Sequence, residues 1–296
     1  MTTLREPAYA KLNLTLEVLG RRADGYHELS SLVAFAELGD VVDLAPGPTL
    51  ELVVEGPFAE ALTGGGNLIL DAARAAKTLR LNLELGRFRL TKNLPIAAGL
   101  GGGSADAAAA LRLLARANGV ALTGEHLAML AAELGSDVRV CLASQPALMT
   151  GRGETVHPLR NFPACGVVLA NPGVALTAPA VYGALKAPPI SGDRESIPEV
   201  PDFAGSFERL LDYAGPRGND LEAPAIALAP VIKEVLAALA QLKGVRLVSM
   251  SGSGSTCFAL FVNAEEARRG AGELIASHPG WWVAASTLAC DAGAIL

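Results

Sequence analysis

The sequence predicts an α+β protein in which an antiparallel sheet is followed by helices and further strands. Apolar and polar residues alternate near the N-terminus, which is typical of a strand with one buried face. In the middle of the chain, apolar residues at helical spacing are followed by glycine. The final segments have the order helix, strand, strand, helix, strand. At 296 residues the chain is about twice the commonest domain size, so we expect two domains.

The composition excludes several classes of protein. Hydrophobic residues make up 51% of the chain and charged residues 18%, which argues against a disordered protein, a fibre or a coiled coil. The net charge is -6 without a dense basic run, so nucleic acid is not an expected partner. The uncharged stretch Gly166 to Leu185 is interrupted by prolines and glycines, so no membrane span is predicted.

The cysteines and the N-terminus predict a cytoplasmic protein. Arg5, Glu6 and Lys11 interrupt what would be the apolar core of an export signal. The cysteines are widely spaced and never form a C-x-x-C pair, which argues against a zinc site or a disulfide framework and favours reduced thiols. They are Cys141, Cys165, Cys257 and Cys290.

The predicted elements follow from periodicity and from helix caps. Residues 11–18 alternate, with apolar side chains at even positions and polar ones at odd positions, which predicts a strand. Ser104 is the expected N-cap of an alanine-rich helix, and Ser136 and Asp137 are expected to begin a short one. The proline-rich residues 185–201 predict a long surface loop. Further strands are predicted at Ser31 to Phe35, Val41 to Leu44, Leu50 to Val54, Phe88 to Lys92, Val245 to Met250, Cys257 to Val262 and Trp281 to Leu288, and helices at Asn67 to Arg80, Ser104 to Asn118, Gly124 to Leu134, Pro230 to Leu242 and Ala264 to Ser277.

The strongest functional signal is the segment PIAAGLGGGSADAAA at 95–109, in which four glycines in five positions lead into a predicted helix. Glycines let backbone N–H groups approach an anion, and a helix start adds free donors and partial positive charge. We therefore expect a phosphate-binding loop, the alternative being a flexible loop without function. No G-K-[ST] follows, which excludes a Walker A loop, and no βαβ unit supports a dinucleotide fingerprint.

Several other features have two interpretations. The glycine-rich 251–256 is either a hairpin turn or the other side of the phosphate pocket. Lys11 is either a solvated lysine or a functional cation. A carboxylate such as Asp137 is stabilised at a helix start without any catalytic role. Tyr26 and His27 follow a turn, where aromatic residues often serve packing.

Five segments in the same order resemble the GHMP kinases, the superfamily of galactokinase, homoserine kinase, mevalonate kinase and phosphomevalonate kinase. They span Ala8 to Phe261 and read AYAKLNLTLEVLGRRADGYHEL, PIAAGLGGGSADAAA, ELGSDV, RGNDLE and SGSGSTCFALF. The resemblance implies a two-domain GHMP kinase fold. An N-terminal ATP-binding domain like ribosomal protein S5 domain 2 would occupy residues 1–160, and a ferredoxin-like C-terminal domain 161–296. The active site would lie in the cleft between them.

The resemblance also implies an ATP-dependent kinase that phosphorylates the C2 hydroxyl of a cytidyl diphosphate-linked alcohol in non-mevalonate isoprenoid synthesis. The alternatives are another small-molecule kinase of the superfamily and a nucleotide-binding relative with weakened catalysis. Lys11 and Asp137 match the catalytic pair, with Asp137 as the base. Mg²⁺ is expected with the ATP, its protein ligands unknown, and no oligomeric state is predicted.

Residue by residue, the resemblance assigns two binding sets. Tyr26 and Tyr182 would sandwich a cytosine, and His27 would read its edge. The substrate set is Asn13, Tyr26, His27, Thr177 and Tyr182. Asn67 and Lys92 match positions near the adenine. The ATP set is Asn67, Lys92, Pro95, Ile96, Ala97, Ala98, Gly99, Leu100, Gly101, Gly102, Gly103, Ser104 and Ala105.

One departure from the family pattern lies beside the expected base. The family continues Asp-Val-Pro, and this chain has Asp137, Val138 and Arg139. The change frees a backbone N–H at the helix start and adds a cation, which we expect either to lower the basicity of Asp137 or to bind phosphate.

Overall fold

The computed structural model describes residues 2–62, 66–79, 83–190 and 199–288, and it has the α+β architecture expected from the sequence. The strands are β1 (Leu4–Asn13), β2 (Glu17–Arg21), β3 (His27–Ala45), β4 (Glu51–Glu55), β5 (Arg87–Thr91), β6 (Ala147–Gly151), β7 (Thr155–Pro158), β8 (Cys165–Asn171), β9 (Leu247–Met250), β10 (Cys257–Phe261) and β11 (Trp282–Leu288). The helices are α1 (Leu68–Thr78), α2 (Gly102–Asn118), α3 (Gly124–Leu134), α4 (Ser136–Ala143), α5 (Ala178–Leu185), α6 (Phe207–Ala214), α7 (Glu222–Leu228), α8 (Val231–Ala240) and α9 (Ala264–Ser277).

The N-terminal half is organised around the long strand β3. It pairs antiparallel with β1, β2, β5 and β6, and β4 adds to β5 in parallel. Helices α1, α2 and α4 pack together, with α2 lying on β1 and β3. The alanines in the first half of α2 are almost fully buried, and their small side chains let the helix lie close to its neighbours. This packing fixes the direction of α2 and the position of its N-terminus.

The C-terminal half has the ferredoxin-like arrangement that the resemblance implied. Its strands lie in the order β11, β8, β10, β9, all antiparallel, with α8 and α9 packed against them. Leu288 at the end of β11 pairs with Ala36 of β3, which joins the two sheets. The boundary between residues 160 and 161 stays a prediction.

The structure differs from the sequence-based elements in identifiable ways. β3 runs unbroken over residues predicted as two strands, while the predicted 11–18 strand is interrupted between Asn13 and Glu17. β8 went unpredicted because all seven of its residues are buried, which removes the alternation that marks a half-buried strand. Ser104 is not the N-cap of α2: that position belongs to Gly101, whose left-handed φ of 63° starts the helix two residues before Ser104 would.

Three further expectations concern the loop 185–201, the cysteines and membrane-spanning helices. In the predicted loop 185–201, residues 191–198 lie outside the described part of the chain, as does Cys290. The three described cysteines are all buried. Among the described residues, no helix combines the length and apolarity needed to cross a bilayer.

A buried arginine ties the far side of α2 to the rest of the N-terminal half. The Arg112 guanidinium donates to the carbonyls of Cys141 and Leu142 at the end of α4 and to that of Pro7 in β1. Its Nε also lies 3.3 Å from Glu6 Oε2. These contacts hold the end of α2 that lies away from the glycine loop.

Candidate active site

A cavity of about 660 Å³ lies between the two halves of the chain, within the size range of small-molecule sites. Its wall combines β1 and the β2–β3 hairpin with α4, α5 and both glycine loops. The structure therefore brings together residues that the sequence separates by more than 200 positions. The predicted site residues in this wall are Lys11, Asn13, Tyr26, His27, Gly99, Gly101, Asp137 and Tyr182.

The expected catalytic pair is an ion pair at the cavity wall. Lys11 Nζ lies 3.0 Å from Asp137 Oδ2 and donates to Asn13 Oδ1 at 2.8 Å. The lysine side chain is 5% exposed and that of Asp137 is 35% exposed, so the carboxylate is the member that a ligand can reach. Asp137 lies in the first turn of α4, where the helix dipole favours a negative charge.

The first glycine loop holds the start of α2 against this pair. A side chain at Gly101 would bring its Cβ to 3.1 Å from Lys11 Cε, so glycine permits the close approach. The Lys11 N–H donates to the carbonyl of Leu100 at 2.9 Å. The first amides of α2 have no partner inside the helix, and they are the donors an anion would use.

The second glycine loop, residues 251–256, packs directly on the first. The Thr256 N–H donates to the carbonyl of Ala98, and Ser251 Oγ donates to that of Gly99 at 2.8 Å. A Cβ on Gly99 would lie 2.2 Å from the Ser251 carbonyl oxygen, a distance that no side chain tolerates. Of the two interpretations of this segment, the structure favours a wall of the pocket over an isolated hairpin turn.

Asn219 lies in the motif RGNDLE, and no role was predicted for it. Its Nδ2 donates to the carbonyls of Met250 and Gly252, at 2.7 and 2.8 Å. Its Oδ1 accepts from the Leu221 N–H at 2.9 Å. One amide side chain thus fixes the start of the second glycine loop, and only the fold shows which carbonyls it contacts.

The aromatic end of the cavity is arranged differently from the expected sandwich. The rings of His27 and Tyr182 stack with centroids 4.9 Å apart, and the Arg152 guanidinium lies over Tyr26 at 4.8 Å. One face of each tyrosine is therefore already covered. A base entering between them would use the opposite faces, and the sandwich stays a prediction.

Burial shifts the pKa of two of these rings. Burial, assisted by the positive charge of Arg21, lowers the pKa of His27 from its usual value, so the imidazole is neutral near pH 7. A neutral imidazole offers one donor and one acceptor. Burial, with the nearby Asp137 carboxylate adding to it, raises the pKa of Tyr182, so this phenol stays protonated.

The charged side chains of the wall are mostly cations. Besides Lys11, the cavity is lined by Arg21, Arg152 and Lys186, against the single carboxylate of Asp137. An excess of positive charge in a concave site attracts polyanions such as phosphate esters. The sequence analysis did not single out these three residues.

Outside the segment 95–105, three predicted binding residues do not line the cavity. Asn67 caps α1, its side chain accepting from the Ile69 N–H at 2.9 Å. Thr177 is the N-cap residue of α5 but makes no capping hydrogen bond with its side chain. Of the predicted ATP set, only Gly99 and Gly101 are in the wall.

Lys92, the third such residue, belongs to a buried ion triad. Its Nζ lies 2.5 Å from Asp40 Oδ2 and 2.7 Å from Asp106 Oδ2, and the three side chains are at most 5% exposed. Burial favours a neutral lysine, but the Asp106 and Asp40 carboxylates outweigh it and raise the pKa of Lys92. Burial, with Asp40 nearby, raises the pKa of Asp106 to about 7. Asp106 is the lone charge in an alanine-rich run, a signal that could have indicated a buried partner.

Arg139 turns away from the cavity. It is absent from the wall, and its Nη1 donates to the carbonyl of Glu154 at 3.0 Å, in the β6–β7 turn. The arginine at the usual proline position therefore joins α4 to that turn. The described residues show no contact between Arg139 and Asp137.

The described residues contain no group of three or more His, Cys, Asp or Glu side chains that could hold a metal ion. Asp137 is the only carboxylate in the cavity wall among them.

The chain matches two family descriptions, GHMP kinases N terminal domain over residues 67–147 and GHMP kinases C terminal over residues 200–278. It is 49% identical over 282 residues to the 4-diphosphocytidyl-2-C-methyl-D-erythritol kinase of Parvibaculum lavamentivorans, covering 95% of this chain and 97% of that protein. It is 50% identical over 288 residues to the kinase of the same name from Paracoccus denitrificans, covering 96% and 97%.

Solved structures give the same picture. A crystal structure of 4-(cytidine 5'-diphospho)-2C-methyl-D-erythritol kinase superposes with a TM-score of 0.75 at 35% identity, over 97% of this chain and 100% of that one. Homoserine kinase from Cytophaga hutchinsonii superposes with a TM-score of 0.69 at 19% identity, over 97% and 95%. The second likeness shows the shared fold alone.

We predict that Asn219→Asp loosens the second glycine loop. The carboxylate keeps the acceptor for the Leu221 N–H but replaces two donated hydrogen bonds with repulsion from two carbonyls. Hydrogen–deuterium exchange of peptides spanning 250–256 should accelerate by roughly tenfold or more. Asp220→Asn is the matched control, because its amide oxygen can still accept from the Val18 N–H. Unchanged exchange in Asn219→Asp would contradict the role of Asn219.

Proposed function

The chain belongs to the GHMP kinases, in the family of the 4-diphosphocytidyl-2-C-methyl-D-erythritol kinases, and we propose that it transfers the γ-phosphoryl group of ATP to the C2 hydroxyl of that alcohol. The observation that carries the proposal is the position of the Lys11 and Asp137 ion pair. It lies beside the start of α2 and in the same cavity as the His27 and Tyr182 rings. One cavity therefore offers a base, a phosphate loop and an aromatic surface for a nucleobase.

Asp137 is the general base of the proposed mechanism. Its carboxylate accepts the proton of the C2 hydroxyl as that oxygen attacks the γ-phosphorus, and the bond from phosphorus to the β-bridging oxygen breaks to release ADP. A positioned base contributes roughly 10²- to 10⁴-fold to such a step. The contact with Lys11 at 3.0 Å orients the carboxylate and brings a cation toward the transferring group.

The glycine loop supplies the electrostatic part of catalysis. Amides at the start of α2 are proposed to bind the phosphates of ATP, and the predicted ATP set, residues 95–105 with Asn67 and Lys92, is retained as part of the proposal. Phosphoryl transfer depends mainly on positioning and charge stabilisation. The contacts that fix both glycine loops support this role because they leave the donors little freedom to move.

Magnesium is proposed to enter with the nucleotide. Mg²⁺ prefers oxygen ligands and commonly keeps several waters while it binds substrate phosphates, so it needs no protein cage. This fits a wall whose described part has a single carboxylate. The ion would neutralise phosphate charge, and the proton transfer is assigned to Asp137 alone.

The cytidyl end of the substrate is proposed to lie near His27. The neutral imidazole matches the edge of cytosine, which presents both an amino donor and ring acceptors, and Asn13, Tyr26, Thr177 and Tyr182 complete the proposed substrate set. The cations of the wall suit the diphosphate. A cytoplasmic location is part of the proposal because the reaction consumes ATP.

A substrate panel tests the proposed function. Purified protein is incubated with Mg·ATP and, separately, with 4-diphosphocytidyl-2-C-methyl-D-erythritol, mevalonate and homoserine, and products are identified by mass spectrometry. We expect a phosphorylated product from the first alcohol only. Product from mevalonate or homoserine alone would indicate a sister kinase, and ATP binding without any product would indicate a relative that has lost catalysis.

Asp137→Asn should lower kcat by about 10²-fold or more, because an amide cannot take the proton. Binding of ATP, measured by calorimetry, should change little. Asp220→Asn serves as a carboxylate-to-amide control outside the cavity wall. Near-normal turnover in Asp137→Asn would exclude Asp137 as the base.

His27 should make substrate binding depend on pH. Since its pKa is lowered, the neutral form dominates at and above the usual value of about 6.5, and protonation sets in only as the pH falls further. Protonation removes the acceptor, so KM for the cytidyl substrate should rise in acid while KM for ATP stays nearly constant. His27→Gln keeps a donor and an acceptor without titrating and should flatten the profile. If KM for the cytidyl substrate still rises in acid in His27→Gln, a group other than His27 causes the pH dependence.

A further inference from the structure

A buried ion triad lies directly behind the first glycine loop and takes no part in the proton transfer or the bond changes described above. It consists of Lys92, Asp40 and Asp106, and we call it the loop clamp. If a side chain were added to Gly102, its Cβ would lie 3.1 Å from Lys92 Nζ and 3.6 Å from Asp40 Oδ2. Glycine at this position therefore lets the loop rest on the charged groups beneath it.

The clamp joins the two ends of the loop. Lys92 follows the last residue of β5, and Asp106 lies one turn inside α2, 14 residues further along. Between these positions the chain makes the whole turn that carries the glycines. The hydrogen bond from Lys92 Nζ to Asp106 Oδ2 at 2.7 Å closes this turn in the manner of a cross-link.

Asp40 anchors the same end of the loop to the central sheet. Its Oδ1 accepts from the N–H groups of Asn93 and Leu94, at 2.6 and 2.9 Å, while its Oδ2 accepts from Lys92. Asp40 lies in β3 and is 1% exposed. The ammonium thus connects β3 of the central sheet on one side with the start of α2 on the other.

The stability of the fold does not by itself explain why this buried triad is charged. Two carboxylates face one ammonium, and Asp106 Oδ1 is buried without a hydrogen-bond partner among the described atoms. Replacing such a group with apolar side chains is often neutral or stabilising, so stability is a weak reason for its presence. A requirement for one fixed loop geometry is a stronger one.

We propose that Lys92 is a positioning residue for nucleotide binding, which acts by clamping both ends of the phosphate loop rather than by touching the adenine. The inference rests on the proposed role of the loop in holding the triphosphate of ATP. A clamp and an adenine contact differ in one measurable respect. Loss of the clamp weakens binding of any triphosphate, whereas loss of an adenine contact weakens only nucleotides.

The experiment compares the affinity of ATP with that of inorganic tripolyphosphate, both with Mg²⁺, by calorimetry on full-length variants. Lys92→Met should weaken both ligands by the same factor, roughly tenfold, because it removes the charged hydrogen bond that ties Asp106 at the start of α2 to the other end of the loop. Asp106→Asn should stay within about threefold of the parent, because its amide oxygen still accepts from Lys92. The double variant Lys92→Met with Asp106→Leu removes the bridge without leaving an unpaired charge on α2, and it should match Lys92→Met while remaining folded.

Arg112→Met is the matched control. Arg112 lies on α2, the helix that carries Asp106, and its side chain is 12% exposed. It joins α2 to carbonyls of α4 and β1 at the end away from the loop. It should lower thermal stability and leave both affinities unchanged.

Three results would overturn the inference: unchanged triphosphate binding in the folded double variant, an effect of Lys92→Met on ATP alone, or an equal loss in Arg112→Met. Failure of the parent chain to bind ATP would instead overturn the proposed function together with this inference, which keeps the two failures distinct.

Discussion

The site depends on the close backbone contact between the two glycine loops. At Gly99 the main chains approach so closely that even a methyl group would collide with the Ser251 carbonyl. Hydrogen bonds from Thr256 and Ser251 to carbonyls of the first loop hold the contact together. Since one loop belongs to each half of the chain, this contact also sets the width of the cleft. The position of the ion pair and the direction of the loop amides both follow from it.

The charged groups of the site lie at two depths, one pair at the cavity wall and one triad buried beneath the glycine loop. Their depth suits them to different roles. The Lys92 triad is buried beneath the loop, where water cannot compete and the ammonium donates to two carboxylates. The Lys11 and Asp137 pair lies at the surface of the cavity, where the carboxylate is partly open to a ligand. Two lysines of the same chemistry thus differ in their surroundings, because Lys92 contacts buried carboxylates beneath the loop and Lys11 lies in the wall of the cavity. A buried cation is suited to fix geometry, and a cation at the wall is suited to neutralise charge during transfer.

Arg139 shows how a departure from the family pattern can be absorbed locally. The sequence placed a cation two residues from the expected base, and two consequences for Asp137 or for phosphate were expected. In the structure the side chain instead reaches the Glu154 carbonyl in the β6–β7 turn. Helical geometry explains this, because residues two apart point to nearly opposite sides of a helix. The neighbouring Arg152 of that turn, which the sequence analysis did not single out, is the cation that lies over Tyr26 in the cavity.

The sequence by itself determined the α+β class. It also predicted anion binding by 95–109 and, through ordered motifs, a catalytic role for Lys11 and Asp137, and these two roles are part of the proposed function. These are local properties: periodicity, glycine content and residue type do not require knowledge of distant neighbours. Only the tertiary structure decided that Asn219 holds the second glycine loop, that Asp40 and Asp106 share Lys92, and that His27 stacks on Tyr182. Each of these contacts joins residues far apart in the chain, and pairing at a distance is set by how the sheets and helices pack. The buried strand β8 escaped prediction for the same reason, since burial on both faces is a property of the packed fold.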